Sequence, residues 1–103
     1  MATGKQRVVD DMEQNVHDAS VLLKALSNEC RLLILCNLLD GEKSVSELNQ
    51  RIDLSQSALS QHLARLRRGN LVKVRKQAQT VYYRIASDEA EQVIGLMHKL
   101  YCE

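Results

Sequence analysis

The sequence predicts a mostly helical fold with one small β-hairpin near its end. Three observations predict it. Apolar residues return at helical spacing through most of the chain, and the period switches to 2 only between residues 71 and 85. Proline is absent and there are four glycines, so the punctuation of a many-stranded sandwich or barrel is missing. With 103 residues, 45% of them apolar and 16 of them leucine, the chain makes one packed domain spanning 1–103, with no repeat and no linker.

The elements follow in order. Over about 10–26, Met12, Val16, Ala19, Leu23 and Leu26 recur at spacings of 4, 3, 4 and 3, a helix with a narrow apolar seam. Asn28 caps a second helix over about 29–39, with Glu29 set against the positive end of its dipole. That helix is apolar almost all round, through Leu32, Leu33, Ile34, Leu35, Cys36, Leu38 and Leu39, and is expected at the centre of the domain. Asp40-Gly41 ends it. Ser44-Val45-Ser46-Glu47 is a capping box opening a short helix with Val45, Leu48 and Ile52 inward. After a break at Asp53-Leu54, Ser55 caps a fourth helix to about Arg68, with Leu59, Leu63 and Leu66 toward the core.

Gly69-Asn70 stops that helix, and two alternating runs follow over about 71–85, with Val81, Tyr83 and Ile85 on one face: a β-hairpin with a cationic outer side. Ser87 caps a last helix over about 88–102, with Val93, Ile94, Met97, Leu100 and Tyr101 inward. Four helices, a hairpin and one helix, with a helix-turn-helix at about 44–68 and a wing at about 71–85, is a winged helix-turn-helix. The first and last helices carry more apolar surface than a domain of this size covers, so a homodimer through both is expected.

Net charge is +1, which hides where the charges lie. Residues 54–87 hold seven basic side chains and no acid, between flanks that each carry a balance of −3. A 34-residue stretch without a carboxylate is an electrostatic footprint for a polyanion. The only aromatics are Tyr82, Tyr83 and Tyr101, too few for a single-strand binder that stacks bases on rings. Double-stranded operator DNA is the expected partner. Ser55, Gln56, Ser57, Ser60 and Gln61 are short hydrogen-bonding side chains at the start of the recognition helix, suited to base edges. Arg65 and Arg68, then Lys73, Arg75 and Lys76 on the wing, suit phosphates, with Gln79 and Thr80 at the wing tip. His62 lies beside the core stripe and serves either packing or a phosphate.

No Gly-rich phosphate loop, plausible carboxylate pair or CxxC motif is present, so an enzyme is not expected, and neither is a cofactor. The three cysteines, Cys30, Cys36 and Cys102, are an odd number without framework spacing, and the polar start of the chain lacks an apolar export core. The longest apolar run is five residues, so no membrane span is expected. A cytoplasmic protein with free thiols is the expectation.

The segments Leu32–Cys36, Ser44–Leu48, Leu54–Leu63 and Gln79–Tyr83 resemble the ArsR/SmtB regulators, a similarity that runs through nearly all of the chain from about Val21. Cys36 together with the closing Leu100-Tyr101-Cys102 resembles their BigR/SqrR/HlyU-type subgroup. The resemblance implies a homodimeric transcription factor that reads a pseudo-palindromic operator through the helix at Ser55–Arg68. It further implies that Cys36 and Cys102 sense reactive sulfur species or an oxidant, joining through an intra-subunit polysulfide bridge that weakens DNA binding, with a disulfide as the other linkage open to them. Two departures stand out: Asn70, not glycine, directly precedes Leu71-Val72, and Cys30 is an extra thiol.

No metal is expected. The helix at 45–49 lacks the cysteine pair of thiophilic-metal sensors, and the last helix lacks the full ligand set of zinc-type sensors. His98 and Cys102, at i and i+4, leave a soft-metal site with Cys36 as the rival within the regulator reading. A winged helix that binds only protein is the rival from another class.

Overall fold

The computed structural model describes residues 4–102; Met1–Thr3 and Glu103, the ends of the expected domain span, lie outside the described residues. Five helices and three short strands follow in the order α1 (Gly4–Leu26), α2 (Glu29–Leu38), β1 (Lys43–Ser44), α3 (Val45–Arg51), α4 (Gln56–Arg68), β2 (Val72–Gln77), β3 (Thr80–Ile85) and α5 (Asp88–Cys102). The wing is a hairpin as expected, with β2 and β3 paired antiparallel from Val72↔Ile85 to Gln77↔Thr80. The two-residue β1 was not anticipated. It pairs antiparallel with β3, giving a three-stranded sheet of order β1-β3-β2.

Capping explains the helix boundaries. The Asn28 side chain accepts from the Arg31 amide at 3.0 Å and starts α2. The capping box at α3 is complete, the Ser44 hydroxyl accepting from the Glu47 amide and the Glu47 carboxylate accepting from the Ser44 amide, both at 3.1 Å. Ser55 caps α4 through the Ala58 amide at 3.1 Å. At its other end, the Leu71 amide donates to the Leu66 carbonyl and the Asn70 amide to the Arg67 carbonyl, the paired bonds of a Schellman motif. Asn70 holds the left-handed φ of 60° that this motif needs, a conformation asparagine tolerates better than most residues.

The core lies between α2, the helix-turn-helix and α5. Ile34, Leu35, Leu48, Leu59, Leu63, Leu66 and Ile94 are its largest fully buried side chains, with Tyr83 and Ile85 of β3 packed against it. The expected inward stripe of α4, Leu59, Leu63 and Leu66, is therefore observed. Three expectations are corrected. First, α1 is already helical at Gly4 and not only from about residue 10, while its seam is partly uncovered as expected, with Met12, Val16 and Leu23 exposed and Leu26 buried. Second, α2 has an open side, because only Ile34, Leu35 and Leu38 are buried while Leu33 and Cys36 are exposed. A ten-residue helix covered on one flank by α4 and on another by α5 and β3 still turns a third flank outward. Third, Leu100 and Tyr101 point to solvent at 61% and 82% exposure, since the buried part of the α5 face, Ala90 and Ile94, lies in its first half and no described element covers these two side chains near its end.

Candidate nucleic-acid interface and thiol pair

The helix-turn-helix is pinned at its turn. The Asn49 amide group donates to the Leu54 carbonyl at 2.9 Å, and the Leu54 amide to the Ile52 carbonyl at 2.9 Å. With Leu59, Leu63 and Leu66 locked in the core, the opposite face of α4 is fixed outward. Ser55, Gln56, Ser57, Ser60, Gln61, Arg65 and Arg68 are all exposed there, whereas His62 is half-buried at the edge of the core stripe. The Ser55 hydroxyl already accepts the capping bond and offers its proton for a further contact.

The wing tip lies on the same side of the molecule. Gln56 at the start of α4, Gln79 and Thr80 at the hairpin turn, and Ser46, Asn49 and Gln50 of α3 line one open groove of about 630 Å³, with Val45 and Val81 as its apolar part. Recognition helix and wing therefore present a common surface, which the sequence could place only on separate elements.

Register sorts the wing cations. Directly paired residues share a face, so Lys73 with Arg84, Arg75 with Tyr82 and Gln77 with Thr80 occupy the outer face. Lys73 and Arg84 are like charges set opposite each other and both exposed, an arrangement that favours an incoming anion. Lys76 pairs with Val81 on the other face of the hairpin and is exposed near its tip. Arg75 differs from this group. Its Nε donates to both Glu42 carboxylate oxygens at 3.2 and 3.1 Å, its Nη2 to Glu42 Oε1 at 2.6 Å and its Nη1 to Gln77 Oε1 at 2.7 Å. The guanidinium also lies 4.4 Å from the centroid of the Tyr82 ring. The Arg75 hydrogen bond and charge hold the Glu42 carboxyl below its ordinary value. Arg75, expected at a phosphate, is thus the anchor of the wing. Glu42 was missed because it lies outside the acid-free stretch and arrives through β1, whose two residues carry no strand signal.

Away from this surface, Cys36 on α2 and Cys102 at the end of α5 are both exposed, and Cys30 is half-buried. Burial pushes the Cys36 thiol above its ordinary value, and the nearby Cys102 pushes it further. Residues 66 positions apart are thus brought into electrostatic reach by the packing of α5 on α2. An open depression of about 280 Å³ beside Cys36 is lined by Asn37, Asp40 and Arg51. Among the described residues no group of three or more His, Cys, Asp or Glu side chains is arranged to hold a metal, so the Cys36, His98 and Cys102 trio does not assemble as a ligand set. No described helix is long and apolar enough to cross a membrane.

Comparison with known proteins agrees with this architecture. Residues 28–74 match the model of the bacterial regulatory protein, arsR family. The transcriptional activator HlyU of Vibrio cholerae serotype O1 is 59% identical over 95 residues, which cover 92% of this chain and 88% of the relative. A solved structure of reduced HlyU from V. cholerae superposes with a TM-score of 0.86 at 60% identity, covering 90% of this chain and 98% of the other. The transcriptional repressor BigR from Xylella fastidiosa superposes at 0.87 with 36% identity, over 91% and 96% of the two chains.

Proposed function

Because this chain belongs to the arsR family of bacterial regulatory proteins and is a winged helix-turn-helix transcriptional regulator, we propose that it binds operator DNA as a homodimer and releases it when reactive sulfur joins Cys36 to Cys102. The acid-free outer face of α4 supports the DNA half of this reading. With α4 in the major groove, Gln56, Ser57, Ser60 and Gln61 meet base edges, glutamine pairing bidentately with adenine. Arg65, Arg68, Lys73 and Lys76 meet phosphates, with Gln79 and Thr80 on the backbone nearest the wing tip. The exposed Met12, Val16 and Leu23 of α1 and Leu96, Leu100 and Tyr101 of α5 supply an apolar surface for a two-fold partner. Two half-sites about one helical turn apart match such a dimer.

The single observation that carries the sensing half is that Cys36 and Cys102 are free, exposed thiols on two helices, α2 and α5, that pack against each other. The chemistry balances with an organic persulfide as the oxidant. The Cys36 thiolate takes the outer sulfur and the organic thiol leaves. Cys102 then attacks the Sγ of the persulfidated Cys36, forming the Cys36–Cys102 bond and releasing hydrogen sulfide. Two thiols lose two electrons, and the transferred sulfur gains them. The reduced state named for the solved V. cholerae relative fits a switch of this kind. One relative is named an activator and another a repressor, which fits a protein whose direct output is operator occupancy.

The test is a fluorescence-anisotropy titration of promoter DNA with EDTA present, comparing reduced with persulfide-treated protein. Binding lost on treatment, with Cys36→Ser and Cys102→Ser each binding DNA but no longer responding, supports the proposal. A response that survives both substitutions refutes the thiol pair, and binding indifferent to salt refutes the DNA reading.

A further inference from the structure

The depression beside Cys36 has a polarity of its own. Two of its lining groups are already engaged. Asp40 Oδ1 accepts from Lys43 Nζ at 2.6 Å, and that bond keeps its carboxyl ionised and compensated by a lysine whose side chain is only 8% exposed. Asn37 spends its Nδ2 on the Leu33 carbonyl at 2.9 Å. Glu47, the other carboxylate whose charge is felt by Lys43 and Arg51, is tied to the Ser44 amide in the capping box. Arg51 is the remaining lining group, exposed and without an ion pair within 4 Å among the described residues. A guanidinium with open donors, lining the same depression as a thiol, fits a small molecule with a carboxylate at one end and a reactive sulfur at the other.

We propose that Arg51 is a specificity residue that docks the carboxylate of an anionic organic persulfide so that its outer sulfur meets Cys36. This rests on the reading of Cys36 and Cys102 as a sulfur-responsive pair and names the class of effector for it. Docking serves a purpose here. A thiol held above its ordinary range offers little thiolate at neutral pH, so raising the local concentration of the partner is the effective way to speed the reaction. The transfer itself is unchanged: the Cys36 Sγ–S bond forms, the S–S bond of the effector breaks, and the organic thiol leaves with the electron pair.

The test uses three persulfides of matched size that differ at the far end: 3-mercaptopropionate (anionic), 2-mercaptoethanol (neutral) and cysteamine (cationic). Mass spectrometry follows the initial rate of sulfur addition at Cys36 in the full-length protein and in Arg51→Gln and Arg51→Lys. One charge at ~6 Å in a water-like medium changes local concentration by about threefold in each direction. The wild type should therefore prefer the anionic over the cationic reagent by about tenfold, with the neutral one between. Arg51→Gln should collapse that spread below about twofold at an unchanged neutral rate, and Arg51→Lys should restore most of it. Equal rates for all three reagents in the wild type, or a spread that persists in Arg51→Gln, would overturn the role of Arg51 and leave the thiol switch standing. Absence of addition and bridging with every reagent would overturn the switch itself, and this inference with it.

Discussion

Replacing Glu42 by glutamine should make DNA binding more sensitive to salt. Glu42 holds Arg75 through three close nitrogen–oxygen contacts, so the pair enters the complex with no net charge to displace counterions. Glu42→Gln unmasks one cation per protomer on a face that already carries Lys73 and Arg84. Each additional phosphate neutralised steepens the plot of log K against log salt by about 0.9, so a dimer gains about 1.8. Between about 50 and 200 mM salt the variant should lose about tenfold more affinity than the wild type loses. Lys73→Ala should shift the slope by a similar amount in the opposite direction. Removing Glu42 and Arg75 together, as Glu42→Gln with Arg75→Gln, should leave the slope near the wild-type value. Anisotropy titrations across a series of salt concentrations read all of these. If the double variant is shallower by about 1.8, Arg75 abandons Glu42 for a phosphate when DNA arrives, and its assignment as an anchor is wrong.

Further outcomes follow from particular residues. Ala78 sits at φ 55°, first of the two residues turning between β2 and β3, where a Cβ costs about 1–2 kcal/mol; Ala78→Gly regains that, less about 0.4–1 kcal/mol of added unfolded-chain entropy. It should therefore stabilise by up to about 1.6 kcal/mol in urea unfolding, and a destabilised variant contradicts the strained turn. Leu63 is 1% exposed on the buried face of α4, so Leu63→Ala should cost about 3 kcal/mol by the same measurement. Because burial first and Cys102 second raise the Cys36 pKa, thiolate appears there only at higher pH than for an ordinary cysteine. The iodoacetamide rate at Cys36 should still be climbing at pH values where an ordinary cysteine has levelled off, and Cys102→Ser should move that profile toward lower pH without returning it fully. Bridged protein should keep the salt slope of reduced protein on non-specific DNA while losing the specific site; a shallower slope would mean that the bridge removes cations from the surface.

The elements were legible because each had local chemistry to announce it. Ser44 with Glu47, Ser55 before its leucine stripe, and Gly69-Asn70 before an alternating run each fix a boundary within a few residues, and the caps form as their spacing implies. The outward face of α4 was legible too, since burying Leu59, Leu63 and Leu66 leaves no choice about Gln61 or Arg65. What escaped was non-local. Strand β1 exists only because β3 offers an open edge, so nothing near Lys43 signals it, and with β1 comes the carboxylate that claims Arg75. Cys36 was misplaced in the core for a related reason. A uniformly apolar helix says that burial is favourable but not which flank the neighbours will cover, and periodicity is mute when every position is apolar. Arg31 illustrates the same limit: its guanidinium closes the end of α1 on the Ala25 and Lys24 carbonyls, a role visible only once α2 folds back on α1.

The openness of Cys36 changes how a sulfur bridge acts on DNA. Joining two thiols alters no cation among Arg65, Arg68, Lys73 and Lys76, so the proposed release cannot come from weakened phosphate attraction and must come from geometry. Helix α2 is the element that touches both ends of the problem, packing on α4 and on α5. A bond from its open flank to the last turn of α5 fixes the exposed Leu100 and Tyr101 surface relative to the core. If that surface is the seat of the partner protomer, the bridge resets the angle between two recognition helices that must span one helical turn of DNA. A tilt too small to disturb either domain is then enough to put one half-site out of register, which is why a site far from the nucleic acid can govern it.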